Sequence, residues 1–600
     1  GAAEVAEAAE PAPAAPRVSE ASFEAALTRA VGAALPPLTA SSHIPYMDLG
    51  LDSFDLLELH TVIEAELAPQ RAPLPRALLF DHPTPAATLA FLNATAEPTA
   101  DEAVPPTEGD DDDDDDGEAI AIVGMSCRLP GGCDSPAALW EMLCDGRDAV
   151  GAPPPGWGPA CAGGYLSASQ HPEAFDPEWF GIGEAEAAAM DPHQRLLLEL
   201  ACEALVTAGE TPTSARDGAP PHGCADGGGG ADSTGVYVGL SNCEWAAARA
   251  AAGARAGAYG GTGTSGAIAA NRITYALGLK GPSLVVDTAC SSSLSALHLA
   301  CRALRGREIR RAIVGAADLI VSPRAIAARA DAGMLAADSR CKPFDAKADG
   351  YVRGEGAACV VLKRAAEVTA ADDVVAIIRG TAINNDGRTA RLTAPSGAAQ
   401  RALIDSALAD GGVTPAAVRY VEAHGTGTAL GDPIEMSALG AALAADAAAA
   451  ARGAPLLIGA VKGNVGHLEG AAGLLGVVKT ALVLHHAAVP PNANFEEANP
   501  LLADELRPGR LALPLQLTPL PRAPGAPPRA AGVSSFGFGG ANAHAVLQEA
   551  PPRRAPPTAM VAATGRPLLP GYNPRPFPWR EAAAAAASSV PGHVRSASQL

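Results

Sequence analysis

Four short segments carry residues whose types and spacing could do chemistry. Val285-Val-Asp-Thr-Ala-Cys290-Ser-Ser-Ser-Leu-Ser-Ala-Leu-His reads as an apolar strand that turns sharply at a cysteine and continues as a helix. A thiolate at a helix N-terminus is stabilised by the aligned backbone dipoles, so this placement predicts a lowered pKa and a nucleophile able to attack a thioester. Taken alone, the same segment also fits an inert buried cysteine. Val421-Glu-Ala-His424-Gly-Thr-Gly-Thr and Val461-Lys462-Gly-Asn-Val-Gly-His467 each put a histidine where a strand runs into a loop. Either one alone fits a hydrogen-bonded core histidine equally well. Finally, Asp48-Leu-Gly-Leu-Asp-Ser53-Phe-Asp places a serine at the start of an amphipathic helix, where an N-cap flanked by first-turn acids is the plain reading.

Two different kinds of element must hold these residues. Around Ser53, residues 20–96 show helical periodicity in Phe23, Leu27 and Val31, then Leu56, Leu59 and Ile63, then Leu89 and Leu92, which predicts a small helical bundle. Over 118–548 the pattern changes to short β-branched runs between Ala/Leu-rich helices: 119–124, 235–239, 283–287, 312–316, 359–362, 375–378 and 456–460. That alternation predicts an α/β domain with buried sheets. Residues 1–19 and 97–117 read as linkers, the second carrying the run Asp110 to Asp116. A flexible segment of that length averages about 25 Å end to end, and like-charge repulsion extends it toward a ceiling of roughly 70 Å. Residues 549–600 are Pro/Arg-rich, then Ala-rich, and read mostly as linker.

Composition narrows the function class. With 600 residues the chain can hold several domains and a large core. Its net charge of −23 disfavours nucleic acid and anionic membrane surfaces. No basic segment leads into an apolar one at the N-terminus, and no apolar run is long enough for a membrane span. The 11 cysteines form no C-x-x-C pair and are too few to act as a disulfide scaffold, which predicts a reducing, cytoplasmic setting. No spacing of His, Cys and carboxylates suggests a metal. Gly261-Thr-Gly-Thr-Ser-Gly266 is a literal G-x-G-x-x-G, but the expected strand comes after it rather than before it, which argues against a dinucleotide. His193, His298 and His544 are read as structural.

Taken together, Cys290, His424 and His467 resemble the Cys-His-His set of β-ketoacyl synthases of the polyketide and fatty-acid type. Matching segments run through the domain: Met190-Asp-Pro-His-Gln-Arg, Cys341-Lys-Pro-Phe-Asp, Asp349-Gly-Tyr-Val-Arg-Gly-Glu-Gly and Ser534-Ser-Phe-Gly-Phe-Gly-Gly-Ala-Asn-Ala-His. The resemblance implies a thiolase-like fold in five α/β/α/β/α layers, dimeric through this domain. It implies that Cys290 takes an acyl chain from a carrier thioester, and that His424 and His467 donate to the thioester oxygen of a malonyl unit as carbon dioxide leaves. The carbanion then attacks the acyl-Cys290 carbonyl in a Claisen condensation, with the backbone N–H groups of Cys290 and Phe538 holding the oxyanion. Lys462 matches the family lysine near the histidines. The Asp-x-Gly-x-Asp-Ser segment, with the later Leu79-Phe-Asp-His-Pro-Thr-Pro, resembles an acyl carrier protein, which is a four-helix bundle. That likeness implies 4′-phosphopantetheine on Ser53, attached by a phosphopantetheinyl transferase.

The order of carrier then ketosynthase suggests a piece of a longer modular polyketide synthase. No Gly-His-Ser-x-Gly element is present, so malonyl loading falls to an acyltransferase in another domain or protein. Residues 567–579 resemble the segment that wraps back over such ketosynthases. Two departures stand out: Gly463-Asn-Val follows Lys462 where the family more often has Ser-Asn-Ile, and a Gly/Ala/Asp insert fills 213–233. A thiolase is disfavoured because it needs a second cysteine near the C-terminus and Cys359 is the last. The alternatives left open are a non-elongating ketosynthase that only relays the chain and the condensing component of a fatty-acid-type synthase.

Overall fold

In a computed structural model of the chain, the described residues are 18–31, 39–44, 46, 51, 53–67, 74, 78–93, 118–167, 170, 173–210, 212, 214, 233–242, 244–253, 257–522, 525–551 and 569–577. Most of the linker expected at 1–19, the whole of that at 97–117, most of the insert at 213–233 and most of the tail lie outside them. The chain divides into two compact units, residues 1–114 with 387–397, and 115–386 with 398–600.

In the first unit, helices α1 (Glu20–Val31), α2 (Ser53–Leu67), α3 (Leu78–Asp81) and α4 (Pro85–Asn93) are described. Phe23 and Leu27 of α1, Leu56, Leu59 and Ile63 of α2 and Leu92 of α4 are buried, which is the 3.6-residue spacing turned into a core. The Asn93 side chain closes the ends of the unit: its Oδ1 accepts from Val18 N–H at 2.8 Å and its Nδ2 donates to Val18 C=O at 2.9 Å.

The second unit is built on eleven strands: β1 (Ile120–Arg128), β2 (Thr234–Gly239), β3 (Ser283–Val286), β4 (Arg311–Asp318), β5 (Gly356–Arg364), β6 (Ala376–Asn385), β7 (Val418–Glu422), β8 (Leu456–Gly459), β9 (Leu511–Ala512), β10 (Ala530–Phe536) and β11 (Ala541–Glu549). They hydrogen-bond in the order β9-β8-β7-β10-β11-β6-β1-β5-β4-β2-β3. The two halves of this mixed sheet join, among the described residues, through a short pairing of Ile120–Ile122 with Ala376–Ile378. Every strand predicted from a β-branched run is present. The hairpin of β10 and β11 carries a family motif but no strand signal, because its Ser, Gly, Asn and Ala content masks the period-2 pattern.

Helices cover both faces of each half: α5 (Pro192–Thr207) and α6 (Ile268–Ala276) on one outside, α9 (Gly397–Asp410) and α10 (Gly431–Leu443) on the other, and α7 (Ser292–Arg305) and α11 (Ala472–His486) between them. One more helix, α8 (Pro323–Asp331), is used below. Alternate residues of β1 show the layering: Ile120 and Ile122 enter the central core, whereas Ala121 and Val123 enter the outer one. Strands buried on both faces need near-continuous apolar runs, and that is the signal they leave in the sequence. Helix α11 is buried from Ala472 to Leu484, as a helix lying between two sheet halves must be.

Residues 569–577 pack back onto this unit. Trp179 Nε1 donates to Pro570 C=O at 2.9 Å, Asn573 N–H donates to the Asp176 carboxylate at 2.7 Å, and Arg575–Pro576 pair with Ala174–Phe175.

Candidate active site

Cys290 lies between the end of β3 and the start of α7. The turn is tight because Ala289 adopts a left-handed backbone, φ 56°, which a non-glycine residue holds only when its surroundings impose it. The surroundings are a set of short hydrogen bonds. Ala289 N–H donates to Asp287 Oδ1 at 3.1 Å, and Ser292 Oγ accepts from Thr288 N–H at 2.9 Å. Ser291 Oγ bridges to Ala541 C=O at 2.8 Å, and Ser535 Oγ donates to the Cys290 carbonyl at 2.7 Å. The serines after Cys290 therefore tie the turn to the β10–β11 hairpin. Gly537 opens that hairpin's loop, where a Cβ would stand 2.4 Å from Thr288 C=O. The following residue, Phe538, points its backbone N–H at Cys290 Sγ.

Both histidines converge on this turn. His467 Nε2 lies 3.1 Å from Cys290 Sγ, and the His424 and His467 rings are 5.5 Å apart, nearly perpendicular. Their second nitrogens are already committed. Glu469 N–H donates into His467 Nδ1 at 3.1 Å, and Phe536 N–H donates into His424 Nδ1 at 3.3 Å. Each neutral ring therefore carries its proton on Nε2 and can act as a donor. Burial, reinforced by the Lys462 charge, holds both rings well below the ordinary histidine pKa, so they stay neutral.

The loop carrying His424 is held from below by helix α10. Glu435 accepts from His424 N–H at 2.7 Å and from Gly425 N–H at 2.8 Å, and Asp432 accepts from Gly427 N–H at 3.1 Å and Phe344 N–H at 2.7 Å. Glycine is required at 425 and 427, where φ is 41° and 76° and a Cβ would meet Ala460 and Lys342 at 2.7 Å. Lys462 is buried at the start of the short helix Lys462–Val465 that leads to His467. Burial lowers its pKa, and Glu422 and Glu435 oppose that.

One expectation is corrected. The helix-end position predicts a lowered Cys290 pKa, yet the thiol is pushed up to about 12. Burial of the sulfur is the largest cause and the nearby Glu469 carboxylate adds to it, outweighing Lys462 and the Phe538 N–H. Helix α7 also begins two residues after the cysteine, at Ser292. The resting residue is a thiol that meets two donors as negative charge develops on it.

The structure thus brings Cys290, His424, His467, Lys462 and the Phe538 N–H together. Ser53 belongs to the other unit and opens α2. Sequence reasoning did not assign roles to Asp432, Glu435 or Glu469, although two carboxylates at i and i+3 in the otherwise apolar α10 were a usable signal. The three histidines read as structural are so placed: His193 donates to Asp191 at 2.6 Å and accepts from Leu319 N–H at 2.8 Å, His298 meets Thr381 at 2.9 Å, and His544 meets Ser534 at 3.0 Å. The G-x-G-x-x-G segment forms a short helix, 260–264, and the element described before it is also a helix, Trp245–Ala251, rather than a strand.

A half-buried cysteine met by one neutral Nε2–H histidine and a backbone N–H, with a second neutral histidine beside the first, on a layered α/β fold with a sharp strand–helix turn, defines a thiol acyltransferase site of the condensing-enzyme class. Comparison with known proteins agrees. Residues 117–368 match the beta-ketoacyl synthase N-terminal domain, 375–496 its C-terminal domain and 503–587 the ketoacyl-synthetase C-terminal extension. The chain is 42% identical over 521 residues to one of the phenolphthiocerol/phthiocerol polyketide synthase proteins of Mycobacterium tuberculosis, a match covering 84% of this chain and 26% of that protein. It is likewise 42% identical over 518 residues to a spectinabilin polyketide synthase system protein of Streptomyces orinoci, covering 84% and 13%. The chain thus spans about a quarter or less of these relatives' lengths. The ketosynthase from module 6 of the bacillaene synthase from Bacillus subtilis superposes with a TM-score of 0.62 at 37% identity, over 72% of each chain. An oxazolomycin ketosynthase domain from Streptomyces albus gives 0.65 at 35% identity, over 74% of this chain and 76% of that one. The chain belongs to the β-ketoacyl synthase family, as a ketosynthase of the modular polyketide synthase type.

Proposed function

We propose that this ketosynthase takes an acyl chain from a carrier thioester onto Cys290 and extends it with a malonyl-type carrier thioester, the chemistry residing in Cys290, His424 and His467. In the first half, Cys290 sulfur attacks the acyl carbonyl, the Cys290 and Phe538 N–H groups hold the oxyanion, and the thiol proton leaves with the departing carrier thiol. In the second half the malonyl C–C bond breaks. Carbon dioxide departs, and the electron pair delocalises onto the thioester oxygen that the two Nε2–H groups face. The enolate carbon then attacks the acyl-Cys290 carbonyl, and collapse of the oxyanion releases the sulfur with a chain two carbons longer on the carrier. Burial keeps both histidines neutral, and the positive field of Lys462 adds to it. The single observation that carries this reading is the pair of histidines, each with Nδ1 occupied by a backbone donor so that Nε2–H is its donor toward developing charge, His467 with that nitrogen 3.1 Å from Cys290 Sγ.

We further read residues 20–96 as an acyl carrier domain. Ser53 opens helix α2 with Asp55 in its first turn, and the Asp-x-Gly-x-Asp-Ser segment that ends on it supports reading it as the serine that would carry 4′-phosphopantetheine. That group, when bound, supplies a thiol on a long tether. An acyltransferase in another domain or protein provides malonyl units, in a cytoplasmic setting. No single helix among the described residues is long and apolar enough to cross a membrane. A homodimer through the ketosynthase is supported by edge strand β3, whose residues are only half-buried.

The test is to load the chain with a short acyl thioester, add malonyl-loaded carrier protein and follow Cys290 by peptide mass spectrometry. Acyl leaving Cys290 as a chain two carbons longer appears is the expected outcome. Transfer without growth, across several acyl chains, overturns it in favour of a relay. For the carrier, Ser53→Ala should abolish the mass gain on phosphopantetheinylation, and a persistent gain would move the attachment elsewhere.

A further inference from the structure

Glu469, two residues beyond His467, has no part in the reaction just derived, yet it supplies the hydrogen bond to that histidine's Nδ1. Its backbone is left-handed, φ 35°, a conformation a glutamate adopts only under constraint. In that conformation its N–H donates into His467 Nδ1. Its carboxylate is held from three directions. Arg329 of α8 donates to both oxygens, at 2.8 and 2.7 Å, Asn242 Nδ2 donates at 2.5 Å, and Tyr351 OH donates at 3.3 Å. Arg329 also donates to Asn242 Oδ1 at 2.6 Å, closing a ring of hydrogen bonds. Behind it, Arg353 Nε stands 3.4 Å from Glu469 while Nη2 bonds Asp318 at 2.8 Å. The backbone on either side of Arg353 clasps His467: His467 N–H donates to Val352 C=O at 2.7 Å and Gly354 N–H donates to His467 C=O at 2.9 Å.

We propose that Glu469, clamped by Arg329 and Asn242, is the positioning residue that locks His467 in its Nε2–H tautomer and sets the charge that the Cys290 thiol faces. The assignment rests on the roles proposed above for Cys290 and His467. A carboxylate held by charge-assisted bonds to three residues anchors the strained turn, and the turn delivers one N–H to one ring nitrogen. Released from that donor, the ring is free to carry its proton on Nδ1, and it then has no hydrogen to offer the enolate oxygen. The same carboxylate is an anion beside Cys290, opposed there by Lys462 and the Phe538 N–H and joined by Asp318. Around Glu469 itself, burial disfavours the charge, but Arg353 and Arg329 outweigh it and keep the group ionised.

The two ends of the clamp carry opposite charges, so they can be separated experimentally. The pH dependence of Cys290 alkylation by iodoacetamide is followed by peptide mass spectrometry for the full chain and for Glu469→Gln, Glu469→Asp and Arg329→Gln, beside the rate of malonyl-thioester decarboxylation. Glu469→Gln removes an anion and should move the alkylation midpoint down by about one pH unit, while Arg329→Gln removes a cation and should move it up. Both should slow decarboxylation about tenfold or more, and Glu469→Asp should restore most of both properties. Midpoints that stay put, or that move in the same direction for the two neutral variants, overturn the proposal, and Arg329→Gln decides it if Glu469→Gln does not fold. Failure of the wild-type chain to alkylate at Cys290 refutes the nucleophile assignment instead.

Discussion

Replacing His424 and His467 one at a time should separate the two halves of the reaction, because the histidines stand differently toward the sulfur. His467 Nε2 is 3.1 Å from Cys290 Sγ, whereas His424 meets the site across the other ring. His424→Ala removes one donor to the enolate oxygen and none to the sulfur. A lost oxyanion donor costs about 10²–10³ in rate, or roughly 3–4 kcal/mol, so malonyl decarboxylation and extension should fall by that factor while acyl loading stays within about threefold of wild type. His467→Ala removes a donor from both steps. Extension should fall at least as far, and loading should also slow by about 10–100-fold, since the developing thiolate keeps only the Phe538 N–H and loses a charge-assisted bond worth about 1.5–3 kcal/mol. The assay uses one enzyme preparation for both rates: stopped-time peptide mass spectrometry of acyl-Cys290 for loading, and carbon dioxide release from malonyl carrier protein for decarboxylation. Equal loss of loading in the two variants, or wild-type loading in His467→Ala, would refute the reasoning that Nε2 geometry divides the labour.

Other consequences can be measured in the same chain. Burial raises the Glu435 pKa from 4.5 to about 7, against the two N–H donors of the His424 loop. A raised folded-state value means stability is fully present below pH 4.5 and is lost as pH climbs through 7. The stability of wild type relative to Glu435→Gln should therefore decline over that window by about 3 kcal/mol, read from urea unfolding at successive pH values. Gly463→Ser, toward the residue more frequent in the family, should destabilise by about 1–3 kcal/mol in thermal unfolding, because a Cβ there stands 2.7 Å from Ala493 C=O. A neutral or stabilising result would mean that the 493 segment gives way freely. Gly537→Ala should displace the Phe538 N–H and slow Cys290 loading more than it slows decarboxylation of free malonyl carrier, since its Cβ would meet the Thr288 carbonyl at 2.4 Å.

The boundary between what was legible and what was not follows from the range of the interactions involved. Strand and helix order, the helical unit around Ser53 and the sharp turn at Cys290 all come from local patterns: β-branched runs, 3.6-residue spacing, and a serine-rich start to α7. The set Cys290, His424, His467 and Lys462 is legible only through motifs spread over 178 positions, and only the resemblance joins them, since no local rule says that three loop ends will meet. Tertiary structure decided the rest. Which ring nitrogen carries each proton depends on Phe536 and Glu469 N–H groups brought in by the β10–β11 hairpin and a left-handed turn. The cysteine's pKa is set by how deeply its sulfur is packed and by a carboxylate 179 positions away, so the local helix-end argument gave the wrong direction. Backbone propensity and hydrophobic period are short-range and survive in the sequence. Desolvation, charge and donor geometry are sums over neighbours that exist only once the chain has folded.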